Sequence, residues 1–89
     1  MRAVITVIGK DKVGVLAKIS TVCENYNVNV LEVSQSIMQE LFAMIMLVDI
    51  DKLNANLQIF TKKLEDVSAQ IGMKIHVMHE DIFNAMHKI

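Results

Sequence analysis

Apolar residues change their spacing several times along the chain, and each change indicates a new element. The first apolar run, residues 3–8, is short and rich in β-branched side chains, which is typical of a buried strand. After Gly14 the apolar positions recur every three or four residues and form one helical face, made of Leu16, Ile19, Cys23 and Tyr26. Asn25 and Asn27 indicate where this helix ends.

Two further apolar segments predict a pair of neighbouring strands. Residues 28–38 are half polar, which suits a strand at the edge of a sheet or one half exposed to solvent. Residues 41–48 are apolar on both faces, which suits a central strand. Gln39 and Glu40 separate the two, and we expect a tight turn there although the glycine favoured in such turns is missing.

The second half of the chain has the clearest helical pattern. Apolar residues from Leu53 to Ile71 step by four and three positions, so we expect a helix capped by Asp51 and ended by Gly72. Residues 73–79 predict a short final strand. Apolar residues at helical spacing over 80–89 predict an amphipathic tail helix.

This order of elements is typical of an α+β fold. It predicts a ferredoxin-like βαββαβ sandwich, with a four-stranded antiparallel sheet, two helices on one face and a short C-terminal helical tail. We expect a single domain over residues 1–89, with its core over 2–79 and the tail over 80–89. Because the third strand is apolar on both faces, we expect the tail helix, a second copy or both to cover the open face.

Composition excludes several classes of function. The 89 residues are 53% hydrophobic, which argues against disorder, and the net charge of −1 comes with scattered lysines and arginines rather than a basic stripe. We therefore expect neither a nucleic-acid partner nor a membrane partner. A single cysteine, Cys23, and the lack of a signal peptide or of a long apolar stretch lead us to expect a cytoplasmic protein.

Modules that share the ferredoxin-like topology need residues that this chain lacks. RNA-binding versions stack bases on strand aromatics, whereas aromatic content here is 4%. Cluster-binding ferredoxins need four cysteines. The spacing of His76 and His79 directs them to opposite faces of a strand, so we expect no metal site and no cofactor. No nucleophile–base pair or carboxylate pair stands at a catalytic spacing, so we do not expect an enzyme.

Two segments resemble the ACT domain family. The loop over residues 9–16, GKDKVGVL, resembles the ACT signature between the first strand and the first helix, and residues 26–30, YNVNV, resemble the entry to the second strand. The resemblance covers about residues 2–79, and the tail is similar to that of small stand-alone bacterial ACT proteins. A more distant similarity is to the ACT repeats of the glycine-cleavage regulator. Val13 departs from the pattern, since many amino-acid-binding ACT domains have proline there.

The resemblance implies a small-molecule-sensing regulatory module. It implies that a homodimer binds an amino acid between the first loop of one subunit and the second strand of the other, and acts through a partner protein. A helix N-terminus suits the ligand carboxylate, and polar side chains suit its ammonium. The candidate binding residues are Asp11, Val13, Gly14, Val15 and Asn29. The alternative is a purely protein-interaction or assembly module without a ligand, which the Val13 departure and the doubly apolar strand favour.

Overall fold

A computed structural model describes residues 1–10 and 13–86 of the chain. The elements follow one another as β1 (Arg2–Gly9), α1 (Val15–Asn25), β2 (Asn29–Met38), β3 (Leu41–Asp49), α2 (Leu57–Gln70), β4 (Lys74–His79) and α3 (Glu80–Met86). This order confirms the predicted βαββαβ class with a short helix after the last strand. Residues 87–89 of the expected tail lie outside the described residues.

The four strands form one antiparallel sheet in the order β2-β3-β1-β4. β1 and β3 lie at the centre, and β2 and β4 form the two edges. Gly9 pairs with Phe42 at one end of the sheet, and Arg2 pairs with Asp49 at the other. These two ends are called the Gly9 end and the Arg2 end below. Asn29 pairs with Asp49 and therefore starts β2 at the Arg2 end.

The core lies between the sheet and the helices α1 and α2. Every second residue of the central strands faces this layer and is buried, including Ile5 and Val7 of β1 and Met44 and Met46 of β3. The two helices contribute Val15, Ile19, Val22, Cys23, Phe60 and Leu64. Full burial of one such apolar side chain stabilises the fold by roughly 1.5–3 kcal/mol. Burial in this core therefore explains why apolar residues recur every second position in the strands and every three or four positions in the helices.

The opposite face of the sheet is covered at one end only. Val4 points away from the core layer, yet it is 3% exposed because α3 packs against β1 and β4. An ion pair of 2.6 Å between Arg2 and Glu80 fastens the start of α3 at the Arg2 end. Ile8 and Ile45, on the same face, remain 44% and 43% exposed. The expectation that the tail helix packs on this face is confirmed, and half of the face stays open.

The start of α2 corrects the sequence-based expectation. The helix begins at Leu57, and its N-cap is Asn56, whose Oδ1 accepts a hydrogen bond of 2.8 Å from the Ile59 N–H. The predicted cap, Asp51, instead contacts the Met1 amine. The preceding residues are held in a loop because the Asn54 N–H donates to the Tyr26 carbonyl. Asp51 was therefore the wrong cap, since a tertiary contact fixes the chain ahead of the helix.

Candidate functional site

Gly14 forms the entry to α1 at the Gly9 end. Its φ of 74° and ψ of 2° lie in the left-handed region, where glycine has no steric penalty. Its carbonyl accepts the first helical hydrogen bond, 3.0 Å from the Lys18 nitrogen. A Cβ at this position would lie 3.9 Å from the nearest side-chain atom, so space is available. The backbone conformation, rather than crowding, is what requires glycine here.

The other predicted loop residues differ in what they offer a ligand. Val13 is 78% exposed beside Gly14, so an apolar side chain lies next to the N-terminus of α1. Val15 is 1% exposed and its side chain belongs to the core, which leaves only its backbone to face a ligand. Asp11 lies outside the described residues. The loop therefore offers the backbone at the start of α1, where the partial positive charge of a helix suits an anion.

Asn29 lies at the other end of the molecule. It is the exposed first residue of β2 and pairs with Asp49. The 11-residue helix α1 separates it from Gly14, which is a distance of about 16 Å at 1.5 Å per residue. A single chain therefore does not bring Gly14 and Asn29 together. Any site that uses both must draw them from two chains.

A cleft of about 520 Å³ opens beside Asn29. The end of α1, the start of β2 and the loop after β3 form its walls, and its polar lining residues are Ser20, Glu24, Asn27, Asn29, Asp49, Asp51 and Lys52. The loop is fixed by local hydrogen bonds. The Asp51 N–H donates to Asp49 Oδ1 at 2.8 Å, and Asn27 Nδ2 donates to the Lys52 carbonyl at 3.0 Å. The cleft is thus a formed feature of one chain.

Acceptor groups dominate the charge of this cleft. The carboxylates of Glu24, Asp49 and Asp51 outnumber the ammonium of Lys52. The Met1 amine already donates a hydrogen bond to the Asp51 carboxylate, which raises the pKa of that amine above its usual range. The arrangement therefore suits the ammonium end of a small ligand better than a carboxylate.

Cys23 lines the inner wall of the cleft with a buried thiol. Its side chain is 1% exposed, and burial raises the pKa of its thiol to about 11. A thiol with that pKa is protonated near neutral pH and therefore unreactive. Within residues 1–10 and 13–86, no group of three or more histidine, cysteine or acidic side chains is arranged to hold a metal ion.

Of the residues that line the cleft, only Asn29 was expected from the sequence as a binding residue. Asp51 was interpreted as a helix cap, and neither Asp49 nor Glu24 was singled out as a site residue. Their proximity to Asn29 depends on the pairing of β2 with β3, which joins residues far apart in the chain. The only sequence signal was the pair of aspartates flanking Ile50 next to an apolar strand.

None of the helices described is long and apolar enough to cross a membrane.

Comparison with known families agrees with this fold. The model of the ACT domain family matches residues 2–78. A UPF0237 protein of Methanosarcina acetivorans is 46% identical over 88 residues, covering 99% of this chain and 96% of the relative. A UPF0237 protein of Clostridium perfringens is 45% identical over 89 residues and covers both chains completely. The relatives therefore include archaeal as well as bacterial proteins.

Solved structures give the same result. An ACT domain protein from Streptococcus pneumoniae superposes with a TM-score of 0.81 at 31% identity, covering 98% of each chain. The regulatory subunit of aspartate kinase from Thermus thermophilus gives a TM-score of 0.65 at 26% identity, over 85% of this chain and 49% of that one. A putative glycine cleavage system transcriptional repressor shares the fold at 17% identity, with a TM-score of 0.71 over 89% of this chain and 47% of that one. ACT domains are generally regulatory modules that bind small ligands, and this chain belongs to the ACT domain family.

Proposed function

We propose that this chain is a regulatory module that binds an amino acid between two identical subunits and acts through a partner protein. The observation that carries the proposal is the position of Gly14 and Asn29 at opposite ends of α1. Two chains related by a two-fold axis bring the Gly14 of one to the Asn29 of the other.

The edge strand β2 supports such a dimer. All of its residues except Val30 are exposed, and in the described part of the chain it pairs with β3 alone. Glu32 is its only charged residue, and it contains no lysine or proline. The unpaired N–H and C=O groups of an edge strand are a template for another strand, and charges or prolines are the usual protection against pairing. β2 lacks that protection over most of its length.

Antiparallel pairing of β2 with its twin brings the two halves of the site together. β2 runs from Asn29 at the Arg2 end to Met38 at the Gly9 end. In an antiparallel pair, the first residues of one strand lie opposite the last residues of the other. The partner's Asn29 and its acidic cleft therefore approach the Gly14 loop. Each dimer has two such sites, related by symmetry.

The two halves complement a free amino acid. The start of α1 provides backbone N–H groups and a partial positive charge for the ligand carboxylate. The cleft around Asn29 provides carboxylates for the ammonium, and the Asn29 amide can both donate and accept. Gly14 allows close approach of the backbone, and Val13 supplies an apolar contact. Asp11 is proposed as a further acceptor from its place in the loop.

A regulatory role is supported by two observations. The family to which the chain belongs is generally one of regulatory modules. The regulatory subunit of aspartate kinase has the same fold next to other parts of its chain. Such a module would transmit a ligand signal by changing its affinity for another protein.

Calorimetric titration of the dimer with each of the twenty amino acids tests the proposal. We expect saturable binding of one amino acid or one chemical group of them. Asn29→Ala should weaken that binding by roughly 10–100-fold, because it removes a hydrogen bond to a charged group. Gln70→Ala, which removes an exposed amide on α2, is the matched control and should leave binding unchanged.

The alternative function predicts a different result of the same titration. If the protein is a dimer through β2 but binds none of the amino acids at millimolar concentration, the ligand proposal is wrong. The exposed Val13 in place of proline would then belong to a protein-interaction or assembly module without a ligand.

A further inference from the structure

The open face of the sheet has a covered half and a bare half. At the Arg2 end, α3 covers the face, so that Val4 is buried and Met78 is half-buried. At the Gly9 end, the face exposes the apolar side chains of Ile8, Met38, Leu41 and Ile45. This second group is called the bare patch. Its residues belong to three cross-strand rows of this face, because Met38 pairs with Leu41, Ile8 with Ala43, and Ile45 with Thr6.

The outer surface of α3 is also apolar and exposed. Ile82 is 56% exposed and Met86 is 66% exposed, whereas Phe83 between them is half-buried. A helix that used only one side to cover its own sheet would be expected to carry polar residues on the other side. α3 is therefore a ridge with apolar groups on its outer side, next to a bare patch that no described element covers.

We propose that a second copy of this chain covers the bare patch. A two-fold axis that crosses the strands near Thr6 exchanges the two ends of the open face. The ridge of each chain then lies on the bare patch of the other, where Ile82 and Met86 contact Ile8 and Ile45. Such an interface is self-complementary, as a two-fold interface requires. It buries the exposed apolar groups of both surfaces at once.

Charge supports the same arrangement. On the open face beside the bare patch, β4 carries the exposed Lys74, which pairs with Ile8, and the exposed His76. α3 begins with two acidic residues, of which Glu80 is paired with Arg2, whereas the Asp81 side chain is 85% exposed and lies 3.5 Å from His79. The two-fold exchange brings Asp81 of one chain toward Lys74 of the other chain. Opposite charges that meet in this way fix the register of an interface.

This interface and the proposed ligand site use different surfaces. The ligand site requires the β2 edge and the helix layer, whereas the second interface requires the open face and α3. Dimers joined through β2 can therefore associate face to face into larger assemblies. Either interface can exist without the other, so the two proposals fail or succeed separately.

Sedimentation equilibrium over a wide concentration range tests the inference. The double variant Ile82→Glu with Met86→Glu should weaken face-to-face association by about 100-fold or more, since it places charges in a buried apolar contact. These side chains are exposed in the single chain, so circular dichroism and thermal unfolding should change little. Ile59→Glu, at a 51% exposed apolar position on α2, is the matched control and should leave association unchanged.

A charge exchange makes the test specific for a second copy. Asp81→Lys alone and Lys74→Glu alone should each weaken association, because like charges meet across the interface. The combined variant restores opposite charges and should recover most of the wild-type association. If the wild type forms no face-to-face species, or if the combined variant does not recover, the inference is wrong. If the ligand proposal holds and the face-to-face proposal fails, calorimetry of the Ile82→Glu, Met86→Glu variant should still detect amino-acid binding.

Discussion

The two edges of the sheet are built differently. β4 has six residues, carries Lys74 and His76 on its exposed side, and continues directly into α3. β2 has ten residues, one charge, and the exposed apolar side chains of Leu31, Val33 and Ile37. Short strands and positive charges are the means by which proteins prevent edge pairing. β4 has this protection and β2 lacks it, so the asymmetry favours β2 as the edge that accepts a second chain.

A local irregularity in β2 limits where this edge can pair with a second chain. The register with β3 shifts between Val30 and Glu32, which marks a bulge at the Arg2 end. From Glu32 to Met38 the pairing is regular. A bulge bends and twists a strand, so pairing with a second chain should be confined to the regular part. That segment is the part of β2 that leads toward the Gly9 end.

The largest expected effect comes from giving β2 the protection that β4 already has. Val33→Lys combined with Gln35→Lys puts lysines on the regular part of β2, on the helix side of the sheet, where they would lie close to their copies in an antiparallel dimer. We expect the dimer Kd to rise by about 100-fold, because like charges that meet at an interface cost several kcal/mol. Sedimentation velocity over a concentration series measures this.

A positive charge on the other edge provides the control for that experiment. His76→Lys on β4 should leave dimerisation through β2 unchanged, since β4 is not the pairing edge. Equal dissociation by the β2 and β4 variants would show that the difference between the two edges does not decide the assembly.

Packing of the turn that leads into β4 predicts the next effect. A Cβ on Gly9 would lie 1.8 Å from Met73 Sδ, and Met73 is 5% exposed. Gly9→Ala should therefore lower the free energy of unfolding by about 1–3 kcal/mol, as overpacking does. Urea denaturation measures it. The loss should be smaller in a Met73→Ala background, and an equal loss there would contradict a clash with this side chain.

The cap of α2 gives a smaller and more local effect. Asn56→Ala removes the hydrogen bond from the Ile59 N–H and should cost about 1 kcal/mol of unfolding free energy. Asp51→Ala, at the position expected from sequence to be the cap, should leave the helix start intact. Urea titrations of both variants decide which residue caps α2. A larger loss of unfolding free energy for Asp51→Ala than for Asn56→Ala, through fraying of the helix, would contradict Asn56 as the cap.

The buried thiol of Cys23 predicts an effect on stability that appears only at alkaline pH. The pKa of Cys23 is raised to about 11 in the folded chain, against an unperturbed value of 9.0. The folded state therefore holds its proton at a pH where the unfolded state has lost it, so stability falls as pH rises from 9 toward 11. Unfolding free energies measured over pH 8–11 should show this slope, and Cys23→Ala should remove it. A thiol that reacts rapidly with Ellman's reagent at pH 8 in the folded protein would contradict the burial.

The strands and helices could be predicted because the core imposes a simple period on the sequence. β3 was expected at the centre from its two apolar faces, and the structure confirms it. The turn at Gln39 also forms as expected, with a positive φ of 56° in place of the favoured glycine. The start of α2 could not be predicted, because Leu53 packs against the core from a loop and continues the helical period without being helical.

The candidate site was less accessible to sequence reasoning. Gly14 and Asn29 could be singled out because they resemble family positions at fixed points of the chain. The acidic cleft could not, because Asp49 reaches Asn29 only through strand pairing across the β2–β3 hairpin. The separation of Gly14 from Asn29 along α1 is equally invisible in the spacing of the residues. Because of this separation, a site that uses both Gly14 and Asn29 requires two chains.

Mixed dimers test the central claim most directly. One chain carries Asn29→Ala, and the other carries Asp11→Ala with Gly14→Val, which disfavours the left-handed backbone at the loop. If each site takes its loop from one chain and Asn29 from the other, both sites of each variant homodimer bind the amino acid more weakly than those of the wild type in calorimetry. The mixed dimer should then regain half of the wild-type stoichiometry, because one of its two sites is intact. A mixed dimer that binds no amino acid, although wild-type dimers do, would contradict a site shared between chains.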